Sequence, residues 1–326
     1  MKNRRLFMLI AVLTIAVAFA GCGNGTLQTG DEGQIDENRD EEVEKVEEIP
    51  DPIKVIASFY PYYDFAKVIG GDRVSVKQMV PDGADPHSYE PSPRDLVELE
   101  KTDVFIYNGL DMEPWIDGVL NMLENTDALI INASELVEVR EYHDHDHDHD
   151  HGEYDPHIWT DPMNAMLISE KISIVLQEKD LDNSQQYQGS FEEFEKKLME
   201  IHHSFEEMMQ EAHTDIILVS HSAFGYLADR HGITEITVTG ISPHAEPNPG
   251  RLAELTKIAR EYDLEHIFFE TLANPRTAEV LAEEAGLEPL MLYNVEGLTK
   301  EQKEAGENYV SLMKKNVEAL RKALAE

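Results

Sequence analysis

The sequence predicts an α/β fold of two lobes, each with a mostly parallel sheet flanked by helices, joined by one long helix. Three observations carry this. Short apolar runs recur along the chain, and most are followed by a helix-start signature. Strands that alternate with helices imply parallel α/β units. The alternation is broken once, near the middle, by a long uninterrupted helical stretch.

The first 22 residues stand apart from that pattern. Lys2, Arg4 and Arg5 precede an apolar run of about sixteen residues, short for a membrane span and suited to an export signal. Small residues then lead into Cys22, the one cysteine of the chain. The A-F-A-G-C stretch resembles a bacterial lipobox, whose cysteine is lipidated and becomes the mature N-terminus; Phe19 departs from the usual leucine there. A single cysteine excludes an intrachain disulfide or a thiolate cluster. Residues 23–51 are rich in Gly, Asp and Glu with almost no apolar content, so they read as an acidic, disordered tether. The expectation is an exported protein, lipid-anchored on the outer face of the cell membrane.

Order begins at Ile53. The run KVIAS (54–58), bounded by Pro52 and the F-Y-P-Y-Y turn, reads as a buried strand. Further strands are expected at Val74–Val80, Val104–Tyr107, Ala128–Ile131, Ile216–Val219, Ile236–Val238, Ile267–Phe269 and Pro289–Leu292. Ser92-Pro93 with Asp95, Asp161-Pro162, Asn248-Pro249 and Asn274-Pro275 each put a capping side chain before a proline at the first helical position. These place an N-terminal lobe at 52–182 and a C-terminal lobe at 214–326. Between them, residues 183–213 carry apolar side chains at Phe191, Phe194, Leu198, Ile201, Phe205, Met208 and Ala212, alternately three and four apart. A helix of that length spans roughly 40–45 Å. It reads as a strut along both halves, with a coiled-coil dimer as the weaker alternative for an otherwise monomeric chain. His202, His203 and His213, on or beside it, read as surface or packing residues.

The chain has 326 residues, room for two domains, and 41% hydrophobic content, enough for real cores. Its formal net charge of −38 argues against nucleic acid as a partner, since a phosphate backbone is repelled, and is compatible with attracting cations.

The cation chemistry is concentrated in the loops. Within 142–153, His143, His145, His147, His149 and His151 alternate with four aspartates, a composition typical of metal binding. His157 follows in a different setting, D-P-H-I-W, and looks like a fixed ligand rather than part of a loose collector. Open α/β sheets bind ligands beyond their strand ends. His87 lies after the second strand, His157 after the fourth, His221 after the fifth at an expected helix N-terminus, and Glu296 after the last. Two precede the long helix and two follow it, so all four can meet in a cleft between the lobes. Three imidazoles and a carboxylate suit zinc, whereas manganese generally takes more oxygen ligands. Separations of roughly 64 to 75 positions exclude a zinc finger.

The stretch KVIASFYPYYDFAKVIGGDRVSVKQMVPDGADPHSYEPSPRDL resembles the opening of the zinc-specific solute-binding proteins of bacterial ABC uptake systems. So do DPHIWTDP, SHSAFGYLADRHGI, GISPHAEPNPGRLAEL, FFETLANPRTAEVLAEEAG and NVEGLTKEQ, which extends the resemblance over residues 53–326. It implies two α/β lobes, one backbone helix and a single metal site at their interface, with the family's histidine ligands mapping onto His87, His157 and His221. It also implies Zn2+ as the transported ligand, a membrane ABC permease as partner and no enzymatic activity. The family's fourth ligand varies: Glu296 is the expectation here and Glu270 the rival. His244 stands where relatives often show an acidic residue and reads as a neutral surface substitution. The alternatives are a manganese-binding relative of the same class, a secreted zinc-dependent hydrolase, which the absence of H-E-x-x-H and G-x-S-x-G disfavours, and a surface adhesin, for which no repeat speaks.

Overall fold

A computed structural model describes residues 51–142, 153–241, 249–270 and 275–326. The export segment with Cys22, the tether up to residue 50, the five histidines of 143–151, and His244 lie outside the described residues.

The first half runs β1 (Ile53–Ala57), α1 (Tyr60–Gly70), β2 (Val74–Gln78), α2 (Pro93–Leu99), β3 (Val104–Tyr107), α3 (Ile116–Leu123), β4 (Leu129–Asn132) and α4 (Pro162–Lys179). The long helix α5 (Ser184–Glu211) follows. The second half runs β5 (Ile216–Val219), α6 (Gly225–His231), β6 (Thr234–Thr237), α7 (Pro249–Glu261), β7 (His266–Phe269), α8 (Pro275–Ala285), β8 (Glu288–Met291), α9 (Lys300–Glu304) and α10 (Tyr309–Leu324). Strand order is β2-β1-β3-β4 in one sheet and β6-β5-β7-β8 in the other, every pairing parallel. The two sheets repeat one topology, and each reverses direction between its two central strands, where such sheets bind ligands.

Period-two alternation sorts each central strand onto two cores. In β1 and β3, Val55, Ala57, Val104 and Ile106 face the largest apolar cluster, while Ile56, Phe105 and Tyr107 face a smaller one under α2 and α3. In β5, Ile217 and Val219 join the same large cluster, and Leu218 joins a third under α7 and α8. The large cluster is therefore shared by both sheets. Its middle is the apolar seam of α5: Phe194, Leu198, Ile201, Phe205 and Met208 are fully buried within the chain. At about 1.5–3 kcal/mol for each large apolar side chain, this seam stabilises the intramolecular strut. The coiled-coil alternative loses its interface to α1, α4 and α10.

Capping follows the sequence signals at Ser92 and Asp161, while Asn248 and Asn274 lie outside the described residues. Ser92 and Asp95 form a reciprocal capping box at α2, and Asp161 accepts from the Met163 amide at α4. One expectation is corrected. His221 is not at a helix N-terminus, because α6 begins four positions later at Gly225. The residues between form a bend whose Ala223 and Phe224 amides donate to the Glu235 carboxylate instead. Among the described residues, no helix is long and apolar enough to cross a membrane.

Candidate metal centre

Two tripeptides in this chain read Asp-Pro-His, at 85–87 and 155–157, and they fold alike. In each, the aspartate Oδ1 accepts the histidine backbone N–H, at 2.9 Å for Asp85–His87 and 3.0 Å for Asp155–His157. This Asx turn lets a short polar side chain fix the direction of the residue two positions on. At the second copy, Asn108 Nδ2 donates to the Pro156 carbonyl, and the Tyr226 hydroxyl donates to the Asp155 carbonyl. Beside this turn, Glu141 pairs with Tyr154 in an antiparallel bridge and the Asp155 amide donates to the Arg140 carbonyl.

His221 follows β5, at the reversal point of the second sheet, with Glu270 following the neighbouring β7. Glu296 follows β8 on a turn whose Val295 has φ +58°, a costly conformation for a β-branched residue and one that aims the next side chain. That turn is tied to the His157 side by the Trp159 indole N–H donating to the Asn294 carbonyl at 2.7 Å. Trp159 itself is held edge-on by Phe59, with ring centroids 4.8 Å apart.

These loops bring four side chains to one point. His87, His157, His221 and Glu296 each offer a ligand-capable atom, all within 4.8 Å of one another. The Nε2 atoms of His87 and His157 are 3.3 Å apart, and His87 Nε2 is 3.9 Å from Glu296 Oε2. His157, His221 and Glu296 are buried, and His87 is the partly exposed member that borders solvent. His221 Nε2 and Glu296 Oε2 are both buried with no hydrogen-bond partner. Leaving two such atoms unpaired is expensive unless a further group meets them, and a divalent cation fits the donor set of three imidazoles and one carboxylate.

The rear of the site is built from carboxylates. His157 Nδ1 lies 2.8 Å from Asp155 Oδ1, and His221 Nδ1 lies 2.6 Å from Glu270 Oε1. A carboxylate only accepts, so each ring carries its proton on Nδ1 and turns Nε2 toward the cluster. Glu270 also accepts from the Ser220 hydroxyl and Asn294 Nδ2. The rival fourth ligand thus stands behind His221 and outside the ligand-capable set. Burial pushes Asp155 up, but the hydrogen bond and charge of His157, with Arg140 behind, hold its carboxyl below the usual range. Burial pushes Glu296 up to about 7. His221 is depressed by burial, yet Glu270 against it, with Glu296 and Glu235 nearby, raises it to about 9.

Sequence reasoning missed Asp155 as a supporting residue, although the repeated Asp-Pro-His was a legible signal. His202 and His203, read as surface or packing residues, both have Glu206 within reach. His213 is exposed, and its backbone N–H donates to the Leu324 carbonyl.

A family model described as the periplasmic component A of the zinc-uptake complex matches residues 55–323. The chain is 32% identical over 281 residues to the high-affinity zinc uptake system protein ZnuA of Bacillus subtilis (strain 168), covering 84% of this chain and 88% of that one. It is 33% identical over 278 residues to the zinc-binding lipoprotein AdcA of Streptococcus pneumoniae (strain ATCC BAA-255 / R6), covering 82% of this chain but 55% of that protein. The crystal structure of Zn(II)-bound AdcA from Streptococcus pneumoniae superimposes with a TM-score of 0.74 at 31% identity, over 84% of this chain and 58% of that one. The chain therefore spans little more than half the length of AdcA.

Proposed function

Because this chain belongs to the family of zinc-uptake complex component A proteins, we propose that it captures Zn2+ outside the cytoplasm and delivers it to a membrane ABC permease. His87, His157, His221 and Glu296 are the proposed ligands. The observation that carries the reading is the pair of buried, unpartnered atoms, His221 Nε2 and Glu296 Oε2, facing two imidazoles within 4.8 Å.

The physical logic is pre-organisation. Asx turns, strand ends and rear carboxylates already fix the four side chains, so little ordering remains to oppose binding. The 143–151 segment offers many weaker ligands whose ordering does oppose it, so zinc collected there passes downhill to the cleft. We further propose export through residues 1–22, lipidation at Cys22, a tether over 23–51, and division of the rest into lobes at 52–182 and 214–326 around the 183–213 helix.

The family is one of solute-binding proteins, and the residues agree with binding rather than catalysis. Glu270 and Asp155, the buried carboxylates nearest the cluster besides Glu296, are engaged with His221 and His157, so neither is left to act as a general base. The imidazole-rich donor set also disfavours manganese.

Elemental analysis with competitive titration against zinc, manganese and nickel tests the assignment. One tightly held zinc is expected, retained after deletion of 143–151 and held far more weakly in His157→Ala. A deletion that removes the tight site while His157→Ala keeps it contradicts the reading.

A further inference from the structure

We propose that His202, His203 and Glu206 form a second divalent-cation site of the zinc type on the outer flank of α5, separate from the cleft. The spacing is chemically suited to this. Residues three and four apart on a helix are surface neighbours, so Glu206 is adjacent to both histidines at once. One carboxylate oxygen lies 3.5 Å from His202 Nε2 and the other 2.9 Å from His203 Nδ1. The three residues offer one ligand atom each within 4.8 Å of one another, and among the described residues this is the second group with that property, besides the cleft.

A hydrogen bond between His203 and Glu206 explains part of this arrangement, but not its inner side. His202 Nδ1 is buried with no partner, and so is Nε2 of His231, the last residue of α6. The two rings lie 5.1 Å apart, and the Phe205 ring is 5.2 Å from that of His231. An imidazole that ligates a metal through Nε2 carries its proton on Nδ1 and is steadied when an acceptor faces it. His231 is suited to be that neighbour. Its buried Nε2 has no other partner, and its ring lies against that of His202.

His203 and Glu206 are more than half and half exposed, so the site opens to solvent and leaves coordination positions for water. Such a site binds more weakly than the enclosed cleft and fills after it.

The test is a Zn2+ titration of the full chain followed by equilibrium dialysis and by nitrogen NMR of the histidine side chains. The His202 and His203 resonances are expected to move only after the first equivalent has bound. The variant His203→Ala/Glu206→Gln is expected to bind one equivalent fewer than the parent, with the first equivalent at unchanged affinity. Both substitutions are at exposed positions, and Glu206→Gln alone, which keeps the side-chain shape, should weaken the same equivalent. Resonances that stay fixed up to saturating zinc, or a double variant that binds as many equivalents as the parent, overturn the proposal.

Discussion

His221 Nδ1 donates to Glu270 Oε1 across 2.6 Å, and this contact separates the two carboxylates that follow the last strands of the second sheet. Glu270 grips the ring from behind, while Glu296 meets it from the front. Glu270→Gln is therefore expected to lower zinc affinity about 10- to 100-fold without removing the site. His221→Ala and His157→Ala, which delete ligands, should cost more. Competition with a chromophoric chelator measures the ranking. In Glu270→Gln the His221 imidazole should also titrate well below its present value of about 9, because the charge that raises it is gone.

Zinc binding should expel protons at a pH where free imidazole has none to give. His221 is raised from 6.5 to about 9 by Glu270, and Glu296 from 4.5 to about 7 by burial. Both must be deprotonated to ligate. Near pH 8 roughly one proton should leave, from His221, and below about pH 7 Glu296 adds its own, so affinity falls more steeply there. Calorimetry in buffers of different ionisation enthalpy counts these protons; none released at pH 8 contradicts the assignment.

Glu296 should weaken the metal-free fold in alkali. Its folded value of about 7 lies above the unfolded 4.5, so the folded state binds more protons between those values. Stability then declines as pH rises through that window. Glu296→Gln removes the titration, and the metal-free variant should gain roughly 2 kcal/mol relative to the parent on going from pH 5 to pH 8. Denaturant unfolding at the two pH values checks this, and the same variant should bind zinc more weakly.

Gly225 lets α6 approach the rear of the site. A Cβ there falls 2.5 Å from Arg140 Nη1 and 2.6 Å from Asp155 Oδ2. Gly225→Ala should displace Asp155 from His157 and weaken zinc binding several-fold, although it touches no ligand. Gly232→Ala is the contrast. Its φ of +69° strains alanine, but nothing stands within 4 Å of the added carbon. It should cost about 1 kcal/mol of stability and leave affinity unchanged. Chelator competition and thermal unfolding of both variants separate the two effects.

The strands were legible because a buried parallel strand is a short continuous apolar run, and Val104–Tyr107 and Ile216–Val219 occur where the runs lie. The long helix was legible from its seam, which is buried from Phe191 to Met208, while Ala212 caps the helix half-buried. His221 was harder. The S-H-S-A-F-G stretch looks like a helix start, yet Glu235, from the neighbouring strand, takes the amides that a helix cap takes elsewhere. Chain position favoured Glu296 over Glu270 but kept both open. Both follow strand ends, and only the turn at Val295 and the Trp159–Asn294 contact decide which carboxylate reaches the three histidines.

Zinc K-edge X-ray absorption on the complex with one equivalent of zinc probes the ligand set directly. The expected spectrum has about four nitrogen or oxygen neighbours at about 2.0–2.1 Å, with multiple scattering from three imidazoles, reduced to two in His221→Ala. A spectrum with fewer than three imidazoles, or one that His221→Ala leaves unchanged, contradicts capture in the cleft.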